Sequence, residues 1–377
     1  MFRVNKIIIF YGSKESFIKI LPHHFENLTE IVYEVDKDSK QLKITLPNQN
    51  SEDLTEKKEE KKYIENFVIG SDEYAGVREH IIINFANFLA KLDVQNIFLH
   101  NPPIQISNQL KRLYEDKIKI IYQEYKSLSL KNLKKIQEEY DEKIIGQKKV
   151  KLELIQSLFP LLLENRSKPV VLLFFGKSGI GKTETAKYIA DIFEEPIFRK
   201  QFSMFQNNQS YTYLFGGAHY EKSFAKDLLD RESNVLLLDE FDKAYTTFHS
   251  AFYQLFDEGI YEDQTYSLEL SKSIIICTSN YESFEDAEKK LGSAIFNRFD
   301  KIIEFEELNN ESKNKIGNKM FDEIESMYYS KFGIKLPLEV KKRLETAYSS
   351  RDNVRQIKHL IEDTLSLYVL NSLDDNK

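Results

Sequence analysis

Ile7–Tyr11 is a short apolar run that stops at Gly12-Ser13, a pattern that predicts a buried strand ended by a turn. Glu30–Val35 and Gln41–Leu46 alternate apolar and polar positions like two more strands, joined by the turn-forming Asp36-Lys37-Asp38-Ser39. Ser51–Lys62 is almost entirely charged and reads as a solvated loop or a frayed helix. Val77–Leu92 carries apolar residues at helical spacing. Asn96–Leu99 reads as a strand that ends at Asn101-Pro102-Pro103, Ile106–Tyr114 as a helix and Ile118–Tyr122 as another strand. Strands alternating with helices predict a small α/β domain with a largely parallel sheet. The carboxyl ends of such strands are where open sheets bind ligands. Asn101-Pro102-Pro103 is therefore either part of a ligand site or a proline-stiffened turn.

Beyond this region the pattern shifts. Leu128–Asp141 reads as a charged connecting helix. Val170–Phe175 is an unbroken apolar run, the mark of a strand covered on both faces, and Val235–Leu238 and Ile274–Cys277 repeat the theme with helical stretches between them. From Asn309 the pattern is helical throughout, over Ser312–Phe332, Pro337–Tyr348 and Asn353–Leu370. No internal repeat is visible. The expected architecture is α/β: a parallel-sheet core over 142–308 with a helical lid over 309–377. A separate small α/β domain over 1–125 precedes it, linked by a helical connector over 126–141.

Composition narrows the class of function. A chain of 377 residues accommodates two or three domains, and 41% hydrophobic residues suffice for ordinary cores. The net charge of −7 argues against broad binding to a phosphate backbone, which needs a strongly basic surface. The single cysteine, Cys277, excludes an intrachain disulfide and a cysteine-rich zinc site. No stretch approaches the ~20 apolar residues of a membrane span. The apolar run near the amino terminus is too short for a signal peptide. These features point to a cytoplasmic location.

Only 13 glycines are present, and three of them fall at 176, 179 and 181 in the segment GKSGIGKT. This completes the phosphate-loop pattern G-x-x-x-x-G-K-[ST]. Each fixed position has a physical reason. Glycines let backbone N–H groups turn towards phosphates with no Cβ in the way. The helix that begins at Lys182 aims the positive end of its dipole at the same anion. Lys182 is expected to reach the β and γ phosphates of ATP and the Thr183 hydroxyl to ligate Mg²⁺. Ser178, Ile180 and Glu184 complete the nucleotide-contacting set. The strand Val235–Leu238 runs into Asp239-Glu240. In a parallel sheet its carboxyl end shares an edge with the loop, so Asp239 can hold Mg²⁺, mostly through water, while Glu240 polarises the attacking water.

Six segments in this order resemble the AAA+ ATPases, and among them the Clp-type protein-remodelling branch, over about residues 142–370. They are Ile144-Ile145-Gly146-Gln147, GKSGIGKTETAKYIA (176–190), LLLDEFDKA (236–244), IIICTSN (274–280), IFNRFDKIIEF (295–305) and Asn353-Val354-Arg355-Gln356-Ile357. The resemblance implies that Ile145 packs against adenine. It implies that Asn280 holds the attacking water or the γ-phosphate, and that Arg298 is an arginine finger completing the site of a neighbouring subunit. It also implies that Arg355 senses nucleotide from the lid, with Arg351 as the competing position.

The sequence departs from that branch at the pore loop, carries no second phosphate loop, and begins with an α/β domain unlike the Clp adaptor-binding domains. An aromatic Gly-Tyr-Val-Gly pore loop is missing, and the corresponding segment 213–221 is shorter. Its Tyr220 either grips a polypeptide or packs beneath a loop. The expected activity is ATP hydrolysis by a homo-oligomeric ring that remodels a protein partner. The alternative is a nucleotide-gated switch whose amino-terminal domain senses a ligand or partner without threading.

Overall fold

The computed structural model describes residues 4–33, 61–163, 166–205 and 209–374. Two compact units emerge. The first joins Met1–Tyr125 to Asn207–Glu232 and Ile260–Glu269, and the second joins Lys126–Gln206, Ser233–Gly259 and Leu270–Lys377. Two segments expected inside the nucleotide-binding core thus cluster with the amino-terminal residues.

In the first unit, five parallel strands form one sheet: β1 (Lys6–Tyr11), β2 (Glu26–Asn27), β3 (Tyr63–Ile69), β4 (Asp93–His100) and β5 (Ile118–Tyr122), in the order β2-β3-β4-β1-β5. The expected helix over 77–92 is two short helices, Glu79–Ile83 and Phe85–Leu89, broken at Asn84. The expected strand at Glu30–Val35 is corrected where it is described, because residues 28–33 are helical. Leu28 and Ile31 are buried three positions apart, the spacing of a helix face. The Gln41–Leu46 strand, the Asp36–Ser39 turn and most of Ser51–Lys62 lie outside the described residues.

β1 sits between β4 and β5, so the connections leaving β1 and β4 run in opposite directions along the sheet, and a crevice opens between their carboxyl ends. Asn101 closes it. Its Oδ1 accepts the Gly12 N–H at 3.0 Å and its Nδ2 donates to the Gly12 carbonyl at 2.9 Å, with His100 Nε2 on the same carbonyl at 2.7 Å. Of the two readings of Asn101-Pro102-Pro103, the described contacts are those of a pinned turn. The added segments attach at this same edge of the unit. Asp230 accepts the Lys14 N–H at 2.8 Å, and the Thr265 carbonyl accepts the Ile104 N–H at 2.9 Å.

The second unit holds another five-stranded parallel sheet: β6 (Val170–Phe175), β7 (Phe198–Gln201), β8 (Val235–Asp239), β9 (Ile274–Thr278) and β10 (Lys301–Glu304), in the order β10-β6-β9-β8-β7. β6, β8 and β9 are buried along their whole length, which is why they read as continuous apolar runs. Helices Leu130–Lys143, Lys148–Leu158 and Lys182–Phe193 contribute to one apolar core with this sheet. Fully burying such a side chain contributes about 1.5–3 kcal/mol. The carboxyl-terminal helices Asn310–Phe332, Leu338–Tyr348 and Val354–Asp374 close around their own core of Phe321, Leu344, Tyr348, Ile357 and Ile361. Among the described residues, no helix is long and apolar enough to cross a membrane.

Candidate nucleotide site

β6 delivers the chain to the loop at Gly176, whose φ of 129° is open only to glycine. A Cβ there would lie 2.5 Å from the Phe305 carbonyl oxygen. Gly179 (φ 74°) and Gly181 (φ 112°) continue the turn, and the twelve-residue helix Lys182–Phe193 begins with no side-chain cap. Its first N–H groups are left for a ligand. Gln147 is buried and fixes the loop from behind, its Nε2 donating to the carbonyls of Ile180 at 3.1 Å and Glu306 at 2.8 Å.

Lys182 is buried. Its ammonium donates to the Gly176 and Lys177 carbonyls, each at 2.6 Å, and to Asn280 Oδ1 at 3.2 Å. Burial pushes its pKa down to about 8 against the opposing pull of Asp242 and Asp239, with Arg355 adding to the lowering. The loop carbonyls hold the charge where phosphate oxygens could replace them.

At the end of β8, Asp239 is 5% exposed, so every partner of its carboxylate matters. Oδ1 accepts from Thr278 Oγ1 at 2.5 Å and from Thr183 Oγ1 at 3.5 Å. Oδ2 accepts from Arg199 Nε at 3.0 Å and Nη2 at 2.5 Å. Glu240 follows in a left-handed conformation, φ 55°, uncommon for a residue with a side chain and costing of order 1–3 kcal/mol. Its N–H donates to Thr278 Oγ1 at 3.0 Å, and its Oε2 accepts from Gln201 Nε2 at 3.1 Å.

These groups meet around one cavity of 490 Å³ at the carboxyl edge of the sheet, a size suited to a nucleotide. Ile145, Ser178, Gly179, Ile180, Gly181, Lys182, Thr183, Glu184, Asp239, Glu240, Asn280 and Arg355 all line it. Gly176 does not, although its carbonyl receives the lysine. Arg355 is brought in by the start of the last helix, where the Val354 N–H donates to the Gly179 carbonyl at 3.2 Å. Arg351 is not part of the lining. Neither is Arg298. Its Nε donates to Asp257 Oδ2 at 2.7 Å, its guanidinium bonds the Ala294 carbonyl, and it lies 4.4 Å from the Tyr253 ring centroid.

The donor set fits a small divalent cation. Thr183 and Asp239 offer hard oxygens side by side, and Mg²⁺ needs only one or two protein oxygens when phosphates and water supply the rest. Sequence reasoning missed Arg199, Gln201 and Thr278. The only signal for the first two is their alternation on a short polar strand.

The family model of the AAA domain (Cdc48 subfamily) matches residues 167–334. The chaperone protein ClpB of Malacoplasma penetrans (strain HF-2) is 29% identical over 239 residues, covering 57% of this chain and 34% of that protein. The ATP-dependent Clp protease ATP-binding subunit ClpL of Staphylococcus aureus (strain MRSA252) is 26% identical over 281 residues, covering 65% of this chain and 39% of that protein. The chain spans between a third and two-fifths of the length of these curated relatives. A closed-state cryo-electron microscopy reconstruction of Hsp104 with ATPγS and FITC-casein superimposes with a TM-score of 0.56 at 16% identity, covering 97% of this chain and 89% of that one. It supports the fold. With its phosphate loop, its acidic pair on the adjoining edge and its helical carboxyl-terminal bundle, the chain is similar to the Clp-type AAA+ ATPases, and residues 167–334 carry the AAA domain of that likeness.

Proposed function

We propose that this chain binds ATP with Mg²⁺ in the cavity beside Gly176–Thr183 and couples hydrolysis to the remodelling of a protein partner. The observation that carries the reading is the meeting of Lys182, Thr183, Asp239, Glu240 and Asn280 around one cavity. Lys182 and the helix amino terminus bind the phosphates. Thr183 and Asp239 would hold the cation, which would neutralise charge on the phosphates. Glu240 accepts a proton from the attacking water, and Asn280 orients that water or the γ-phosphate. Ile145 faces the base and Arg355 reports nucleotide to the lid. Arg298, held outside its own cavity, suits a finger that acts on the neighbouring subunit of a homo-oligomeric ring. In this scheme residues 1–125 are a sensor, 126–141 a connector, 142–308 the core and 309–377 the lid, all in the cytoplasm. The net charge of −7 supports a protein partner over nucleic acid.

One observation favours a second reading, a nucleotide-gated switch without threading. The segment in the position of the pore loop belongs to the first unit, and its His219 is buried with Nε2 on the Val77 carbonyl at 2.8 Å. Both readings share the ATPase site, and one experiment tests the site and then the output. Glu240→Gln protein should retain ATP while turnover falls by orders of magnitude, and in ATP it should capture partners that a Lys182→Ala control does not. Turnover near that of the unsubstituted chain would overturn the assignment of Glu240. Capture of a partner that emerges with its structure unaltered would leave the switch as the output.

A further inference from the structure

The cation site rests on a carboxylate that already has a cation. Asp239 is 5% exposed, and a buried ionised group of this kind is costly unless it is paired. Arg199 supplies the pairing from the neighbouring strand. β7 runs parallel to β8 with Gln201 opposite Asp239, so the two polar side chains of β7 at alternate positions, Arg199 and Gln201, address Asp239 and Glu240 respectively. Nε and Nη2 of Arg199 converge on one oxygen, Oδ2, at 3.0 and 2.5 Å. The other oxygen, Oδ1, takes the hydroxyls of Thr278 and Thr183. Thr183 is the residue proposed to ligate the metal, so the metal position lies on the Oδ1 side of Asp239 and Arg199 holds the second oxygen of the same carboxylate. Arg199 lines the same cavity, and its side chain is 45% exposed against 8% for that of Asp239. The acid is fixed, while the base has room to leave.

Resting on the reading of this cavity as a Mg²⁺–nucleotide site, we infer that Arg199 is a positioning residue that neutralises Asp239 in the metal-free state and competes with the cation for it. A guanidinium on Oδ2 and a divalent cation approaching the same carboxylate repel each other at a few ångströms, and the low dielectric of a buried site strengthens that repulsion. Loading Mg²⁺–nucleotide therefore requires Arg199 to swing away, which it can do into the cavity or into solvent. The arrangement disfavours metal binding without nucleotide and holds Asp239 in place until the phosphates arrive. Lysine would not reproduce it, because a point charge lacks the planar pair of donors.

The test measures metal affinity and needs no turnover. The 377-residue chain is saturated with ADP in EDTA, Mg²⁺ is titrated in beyond the chelator, and the rise in melting temperature is followed. In Arg199→Ala the midpoint for Mg²⁺ should fall about tenfold, a usual size for coupling between two ligands of one site. The melting temperature of the nucleotide-free variant should also fall, because Asp239 is left unpaired. Arg199→Gln, which keeps a donor without charge, should shift the Mg²⁺ midpoint in the same direction with less loss of stability, and serves if the alanine variant does not fold. An unchanged or raised Mg²⁺ midpoint would overturn the inference. So would loss of ADP binding in EDTA, which would make Arg199 a phosphate ligand. If the unsubstituted protein shows neither an ADP nor a Mg²⁺ response, the reading of the site has failed, and that result is distinct from both.

Discussion

Gln201 Nε2 donates to Glu240 Oε2 at 3.1 Å, so the carboxylate assigned to polarise water is bound by an amide from the adjacent strand. A carboxylate that accepts this bond is drawn towards β7 and has one of its lone pairs occupied. Removing one such bond is worth about 1 kcal/mol net. Gln201→Ala should therefore raise basal ATP turnover about fivefold with nucleotide affinity unchanged. A coupled ATPase assay alongside a nucleotide-binding titration checks this, and equal or slower turnover would show that Gln201 aids the active arrangement instead.

Arg298 is held by Asp257 at 2.7 Å and by the face of Tyr253. A finger supplied in trans is worth about 10³–10⁵ in turnover. Arg298→Ala should accordingly lose at least that lower factor while keeping ATP affinity. Mixing Arg298→Ala subunits, whose own sites are intact, with Glu240→Gln subunits, which still carry the finger, should restore part of the activity. No recovery at any mixing ratio would sink the trans assignment.

Gly317, within the long first lid helix, leaves no room for a side chain. A Cβ there would lie 2.4 Å from the ring of Tyr348, which is fully buried on Leu338–Tyr348. Gly317→Ala gains about 1 kcal/mol of helix propensity but forces an overpacked core to yield, at about 1–3 kcal/mol. The balance should be destabilising, and hydrogen exchange in Asn310–Phe332 and Leu338–Tyr348 should quicken ahead of the sheet. Slower exchange in those helices would contradict the packing argument.

What could be read from the chain was what is local in the chain. The phosphate loop is set by glycines five residues apart or less, and β6, β8 and β9 advertise themselves because burial on both faces demands continuous apolar residues. β7 does not, because Phe198–Gln201 is a short edge strand with three polar residues of four, and Arg199 and Gln201 gain meaning only once parallel pairing brings Gln201 opposite Asp239. β3 was unread for a related reason: Tyr63–Ile69 starts in a charged run and mixes exposed Tyr63 and Glu65 with buried Phe67–Ile69. Residues 28–33 show the converse, since Leu28 and Ile31 satisfy a helix face while Ile31 and Tyr33 also alternate like a strand. The attachment of 207–232 and 260–269 to the first unit is tertiary, and no local pattern encodes it.

His100 gives the first unit a dependence on pH. It is fully buried, stacked on Phe17 with ring centroids 4.7 Å apart, and bonded to the Gly12 carbonyl. Burial lowers its pKa, and Lys14 adds to the lowering, while the Gly12 carbonyl, Asp230 and Asp72 oppose it. The unfolded chain therefore takes up a proton near pH 6.5 that the folded unit resists, and stability present above that pH is lost as pH falls below it, by at most about 1.4 kcal/mol per pH unit. Hydrogen exchange in β1 and β4 between pH 7 and 5, corrected for intrinsic rates, should show this slope, and His100→Gln should flatten it. An unaltered slope in the variant would assign the effect to other groups.

Tyr220 decides between remodelling by traction and a switch. It is 61% exposed, yet its neighbour His219 is buried, anchored on the Val77 carbonyl and edge-on to the Tyr220 ring at 5.4 Å. Lys226 reinforces the anchor by donating to the His219 carbonyl at 2.6 Å. A loop that grips a polypeptide must travel with each hydrolysis cycle, whereas this one is tied by one buried bond to the amino-terminal residue Val77 and by a second to Lys226 of its own segment. If traction is the output, Tyr220→Ala should abolish partner remodelling with basal ATPase intact, and His219→Ala, which frees the loop, should preserve remodelling or enhance it. If the segment instead transmits a signal from the first unit, Tyr220→Ala should leave remodelling and ATPase alike, while His219→Ala should erase any change in ATPase rate that a captured partner produces. Measuring both variants for ATPase rate with and without partner separates the two, because the outcomes for His219→Ala run in opposite directions.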